Sequence, residues 1–160
     1  MIIKHSTKDL DHSILAPTYL IEKMAKIAQT HIPYEFGGIL SGYKASKQDI
    51  IVDFEIPTKY EQNQTGFTRH PENLNLYLKK MYDQSGGVVE YIGEWHTHPN
   101  GSANFSTKDF TSIKEIANDK NSKTTMPILI IFSLMHKRYD YNIYKYTNGG
   151  LVIFDRMEKI

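Results

Sequence analysis

The sequence predicts a mixed β-sheet flanked by helices, an α/β to α+β fold, in a single domain spanning residues 1–160. Three observations carry that expectation. At 160 residues and 40% hydrophobic content, the chain can build one sizeable core but is too short for two ordinary domains. Stretches with apolar residues at helical spacing alternate along the chain with short β-branched and aromatic runs. Met126 to Leu134 is almost unbroken apolar sequence, too short for a membrane span and suited to a buried strand.

Taken in order, the first element is a helix from about Pro17 to His31. Leu20, Met24, Ile27 and Ala28 recur at helical spacing, and proline stands where a first turn tolerates it. Gly37 to Gly42 and Ile50 to Ile56 read as two strands of a hairpin, joined by a polar turn between Lys44 and Asp49. Gln62 to Gly66 is polar and loop-like, and Arg69-His70 reads as a solvated approach to a second helix from about Pro71 to Asp83, marked by Leu74, Leu78 and Met81. Val88 to His96 makes a central strand. Ser106-Thr107-Lys108-Asp109 fits a capping box with Phe105 and Phe110 as a hydrophobic staple, so a third helix runs from Thr107 to Asn118. After the buried strand come Tyr139 to Tyr146, where tyrosines alternate with other residues as in a half-buried strand, and the short run Gly150 to Phe154.

Composition narrows function before any motif is weighed. There is no cysteine, which removes disulfides, thiolate metal sites and cysteine nucleophiles together, so any metal must be held by nitrogen and oxygen. A formal charge of +1 from 19 basic and 18 acidic side chains supplies no general attraction to nucleic acid or anionic membrane, and neither is expected as a partner. The N-terminus shows no apolar leader pattern and no run reaches the length of a membrane span, so the expected location is the cytoplasm.

The chemistry concentrates in His96-Thr97-His98-Pro99, followed by Ser106 and Asp109. Two histidines separated by one residue project from the same face of an extended segment and can converge on one ion. An aspartate from the next element can be the third ligand, and three ligands with an open fourth position are the pattern of a catalytic zinc site. The capping box alone accounts for Ser106 and Asp109, but it leaves the two histidines unexplained. The readings are compatible, because a helix beginning at Ser106 directs its unpaired amides and positive end towards the same place. Hydrolysis also needs a proton acceptor, and two glutamates qualify: Glu35, ahead of the glycine-rich Gly37 to Gly42, and Glu94, two residues before His96 on the same strand face.

Glu35 with Gly38-x-Leu40-x-Gly42, then His96-x-His98-Pro99, Ser106 and Asp109, resembles the signature of the JAB/MPN domain (JAMM) zinc metalloproteases over about Pro17 to Phe154. The resemblance implies a cytidine deaminase-like fold and one Zn2+ per chain. It also implies His96, His98 and Asp109 as metal ligands, Glu35 as general base and acid, and Ser106 as the stabiliser of the tetrahedral oxyanion. Glu94-Trp95 resembles the bacterial branch, with Glu94 supporting a ligand or facing substrate. By that likeness the substrate is a ubiquitin-like protein or its conjugate, cut after its C-terminal tail, as by the deconjugating peptidases of CBASS-type anti-phage operons. The alternatives are a phage-tail or cell-wall peptidase and a non-catalytic interaction module. A deaminase of the related fold would need a Cys-x-x-Cys pair, which this chain lacks.

Overall fold

The computed structural model describes residues 1–122 and 124–160. Eleven strands and three helices are found among the described residues. They are β1 (Ile2–Ser6), β2 (Ser13–Pro17), α1 (Thr18–Gln29), β3 (Gly37–Lys44), β4 (Gln48–Glu55), β5 (Tyr60–Gln62), β6 (Phe67–Arg69), α2 (Glu72–Gln84), β7 (Glu90–Pro99), α3 (Thr107–Asn118), β8 (Ile128–Met135), β9 (Arg138–Thr147), β10 (Gly150–Ile153) and β11 (Arg156–Lys159). Nine strands form one mixed sheet in the order β10-β9-β8-β7-β3-β4-β2-β1-β11, and β5 with β6 makes a separate hairpin. The β2–β4 and β7–β8 pairs are parallel and the remainder antiparallel.

The sheet curls. Its two edge strands, β10 and β11, are separated in the chain only by Phe154 and Asp155. Side chains meet across the concavity: His5 on β1 reaches the Tyr141 hydroxyl on β9 at 3.1 Å, and Lys145 on β9 binds Asp49 on β4. Within the curl lies α1, whose stripe Leu20, Ile21, Met24, Ala25 and Ala28 packs with Ile14, Leu40, Trp95, Phe132 and Phe154. On the other face, Ile113 and Ala117 of α3 pack with Leu129, Ile131, Tyr144 and Tyr146. Strand β8 feeds both layers, with Ile128, Ile130, Phe132 and Leu134 on one face and Leu129 and Ile131 on the other. Burial on both faces is why its sequence is a continuous apolar run.

Most expected elements stand close to their predicted limits, and α3 with its capping box matches them. Three differences follow from physics that short windows do not carry. Strands β1, β2 and β11 were not expected; each is four or five residues long, and the β1–β11 and β2–β4 pairings join residues far apart in sequence. The segment around Gln62 to Gly66 is the turn of the β5–β6 hairpin. Strand β7 begins at Glu90 and continues past His96 to Pro99, because β8 pairs with it through Pro99↔Leu134.

Candidate metal centre

The metal-site geometry begins with strand alternation. Trp95 and Thr97 point into the buried layer around α1, so His96 and His98 stand on the opposite face, towards α3. Facing them, the first turn of α3 presents Asp109. Its carboxylate bridges the two rings, with Oδ1 at 3.0 Å from His96 Nε2 and Oδ2 at 3.1 Å from His98 Nε2. The nearest ligand atoms of all three residues lie within 4.8 Å of one another. His98 Nδ1 donates to the Ser102 carbonyl at 2.8 Å, which leaves Nε2 as the nitrogen presented to the cluster. Two imidazoles and one carboxylate, converging with one ring already fixed from behind, fit a divalent metal with nitrogen and oxygen preference.

Asp109 is itself held by the helix it opens. The Ser106 amide donates to Asp109 Oδ2 at 2.8 Å, and the Asp109 amide donates to Ser106 Oγ at 3.1 Å. One capping box thus orients the carboxylate and starts the helix. Ser106 touches Asp109 through this cap but does not line the adjoining cleft, so the structure brings it to the edge of the site and no further.

Glu35 enters from the chain between α1 and β3. The next residue is fixed to β7: the Phe36 amide donates to Thr97 Oγ1 at 3.1 Å, and the Thr97 amide donates to the Phe36 carbonyl at 2.9 Å. Thr97 is buried between the two histidines, so this contact ties the approach of Glu35 to the strand that carries them. Gly37 lets the strands come this close, since a Cβ there would meet the Trp95 carbonyl oxygen at 2.1 Å and His96 Cβ at 2.8 Å. Glu35, His96, Asp109 and Lys108 all line a cleft of about 320 Å3, with Gly38, Phe67, Arg69 and Glu94 among its other walls.

Electrostatics follow this arrangement. Burial pushes the Glu35 carboxyl up, opposed by the nearby charges of His96 and His98. Burial also raises Asp109, but hydrogen bonds from both histidines outweigh it and hold the carboxyl far below the usual range. For His98 burial disfavours the charge, yet Asp109 and the Ser102 carbonyl reverse the balance and raise its pKa.

Glu94, the other candidate base, sits deeper and is engaged. Its Oε1 takes a hydrogen bond from Arg69 Nη2 at 2.5 Å, and burial pushes its pKa up while Arg69 pulls it down. Arg69 is therefore not a solvated helix start: it is largely buried in an ion pair facing the cleft. Neither Arg69 nor Thr97 was expected at the site. Thr97 had a signal, since alternation places the residue between two same-face histidines inside; Arg69 lay in a segment whose hairpin is only three residues a side. Of the tyrosines at 139–146, Tyr144 and Tyr146 are buried against α3, as a half-buried strand requires.

Comparison with known proteins supplies the family and the fold. Residues 17–145 match the family described as prokaryotic homologs of the JAB domain. A CD-NTase/cGAS isopeptidase of Escherichia coli is 29% identical over 108 residues, covering 66% of this chain and 67% of that protein. One of the same name from Enterobacter hormaechei is 26% identical over 129 residues, 81% and 72% of the two chains. A probable metalloprotease of Sinorhizobium fredii is 29% identical over 121 residues, 74% of each. A Desulfitobacterium hafniense protein solved in solution shares the fold with a TM-score of 0.65 at 19% identity, covering 84% of this chain and 85% of that one.

Proposed function

The chain belongs to the prokaryotic JAB family and is a metalloprotease, and from that premise we propose that it is a zinc isopeptidase acting on protein conjugates. The observation that carries this reading is the convergence of His96, His98 and Asp109 beside a cleft that also contains Glu35. In this assignment the three residues hold one zinc ion, which when bound supplies Lewis acidity and makes a water molecule acidic near neutral pH.

The remaining steps belong to the chain. Glu35 accepts a proton from the attacking water at a carboxylate oxygen. The water oxygen bonds to the amide carbonyl carbon, and Glu35 passes the proton to the departing nitrogen as the carbon–nitrogen bond breaks. A raised pKa makes the Glu35 carboxylate a stronger base towards the attacking water, and the carboxylic acid it becomes is still far more acidic than the protonated amine it serves. Ser106, whose oxygen accepts the Asp109 amide, retains its own hydroxyl proton to donate to the developing oxyanion.

The proposed substrate is an amide joining a protein's C-terminal tail to an amine, either of a ubiquitin-like protein or, following the names of the isopeptidase relatives, of a CD-NTase-type nucleotidyltransferase. Such a role belongs in the cytoplasm and in anti-phage defence. No helix among the described residues is long and apolar enough to cross a membrane. The test is cleavage of two conjugate panels, one for each kind of tail, by zinc-loaded parent protein and by Glu35→Gln. Parent cleavage is expected, with Glu35→Gln keeping its zinc while turnover falls by about 10²–10⁴-fold. Binding without cleavage by the parent would instead make the chain an interaction module, and full activity in Glu35→Gln would move the base role to Glu94.

A further inference from the structure

The β5–β6 hairpin stands outside the nine-stranded sheet, yet it touches the chain on both sides of Glu35. The carbonyl of Asn63, in its turn, accepts the Glu35 amide at 2.9 Å. Gln62 Oε1 lies 3.2 Å from His31 Nδ1, and the His31 ring stacks on Phe36 at 3.7 Å. Tyr60 and Phe67 meet the same Phe36 ring edge-on at 5.2 and 5.4 Å. Glu35 is thus gripped twice through the backbone. Its neighbour Phe36 is bonded to Thr97 of β7, while Glu35 itself is bonded to a hairpin whose Tyr60 and Phe67 rings hold it only on the core side, through Phe36.

What joins that hairpin to β7 on the cleft side is Arg69–Glu94. Arg69 closes β6, Glu94 precedes His96 by two residues on the same strand face, and both line the cleft that holds Glu35, His96 and Asp109. A charge-assisted bond in a largely buried setting is stronger and more directional than a solvated ion pair. The pair closes a loop of contacts: Glu35 to Asn63, along the hairpin to Arg69, across to Glu94, and along β7 to His96.

We propose that Arg69 and Glu94 are a positioning pair, a latch that holds the β5–β6 hairpin against the metal-bearing strand and so fixes Glu35 relative to His96 and His98. For its catalytic consequence the proposal rests on the isopeptidase reading; its structural half stands apart. Neither residue is assigned contact with the reacting atoms.

The test uses Arg69→Gln, Glu94→Gln and the conservative Arg69→Lys in the zinc-loaded full chain, with backbone amide exchange and steady-state cleavage as readouts. In both glutamine variants the Glu35 amide exchanges at least tenfold faster while the Phe36 amide, bonded to Thr97, stays at the parental rate. In cleavage, kcat falls about ten- to a hundredfold with little change in KM or zinc content, and Arg69→Lys recovers a substantial part of both effects. General loosening would speed both amides together, which overturns the latch, as would parental Glu35 exchange or parental kcat in Arg69→Gln. If the parent cleaves neither conjugate panel, the isopeptidase reading fails, and the latch is decided by the Glu35 and Phe36 amides alone.

Discussion

Two clusters in this molecule are built on one pattern, a carboxylate shared by two basic side chains, and they have opposite consequences. On the α3 face, Asp109 bridges His96 and His98. On the concave face, Asp49 Oδ2 takes both His12 Nε2 at 3.1 Å and Lys145 Nζ at 2.5 Å, with Lys145 also bonded to the Met126 carbonyl at 3.1 Å. An ammonium group has donors only and no lone pair to offer, so the Asp49 cluster is a closed set of hydrogen bonds. Imidazole can give up its proton and offer a lone pair, so the Asp109 cluster can exchange protons for a metal ion. A histidine beside an aspartate is thus no sign of a metal site by itself; what matters is whether the third group is a donor of lone pairs or a cation.

The largest effects should separate the two carboxylates. Asp109→Ala should lose nearly all bound zinc and all zinc-dependent cleavage while still unfolding in one cooperative transition, at a temperature lowered by the lost α3 cap and the lost bridge between the histidines. Asp49→Ala should keep one zinc per chain but lose about 3–5 kcal/mol of stability, because Lys145 is left buried without its counter-charge. Elemental analysis and denaturant unfolding of both variants check this, and zinc loss in Asp49→Ala would erase the distinction. Next in size, the double variant Asp49→Leu/Lys145→Met should recover most of that stability, to within about 1 kcal/mol of the parent, since a buried ion pair is commonly replaceable by apolar side chains. A double variant as weak as Asp49→Ala would show the cluster doing more than closing the core.

A smaller effect concerns pH in the metal-free protein. The raised His98 pKa contributes stability that is present below the ordinary histidine value of 6.5 and lost as pH rises through the folded value. The depressed Asp109 pKa contributes stability present above the ordinary value of 3.8 and lost as pH falls towards the folded value. The metal-free cluster therefore supports the fold best between those two ordinary values. Zinc reverses the upper limb, because raising pH frees the ligands to bind it. Unfolding curves with and without zinc should diverge on going from pH 6 to pH 8, and should not diverge in Asp109→Ala.

The contrast also explains what could be read from sequence. The convergence of His96, His98 and Asp109 was legible because alternation in β7 and the cap of α3 are local rules, each set by a handful of adjacent residues. The Asp49 cluster was not, since it joins residues 12, 49 and 145 across a curl that no window of sequence contains. For the same reason β1 and β11 escaped notice: their pairing, Ile3↔Lys159 through Ser6↔Arg156, links the two ends of the chain. Glu94 was legible as a residue facing the site, but its partner was not, because Arg69 acquires its place from a hairpin too short to show a pattern.

The most direct test of the central claim is to follow the histidine ring nitrogens by NMR while zinc is added to metal-free protein. The account predicts saturation at one zinc per chain, with the Nε2 signals of His96 and His98 shifting and those of His12 unmoved. Failure to bind zinc, or binding that moves His12 and leaves His96 and His98 in place, would contradict it.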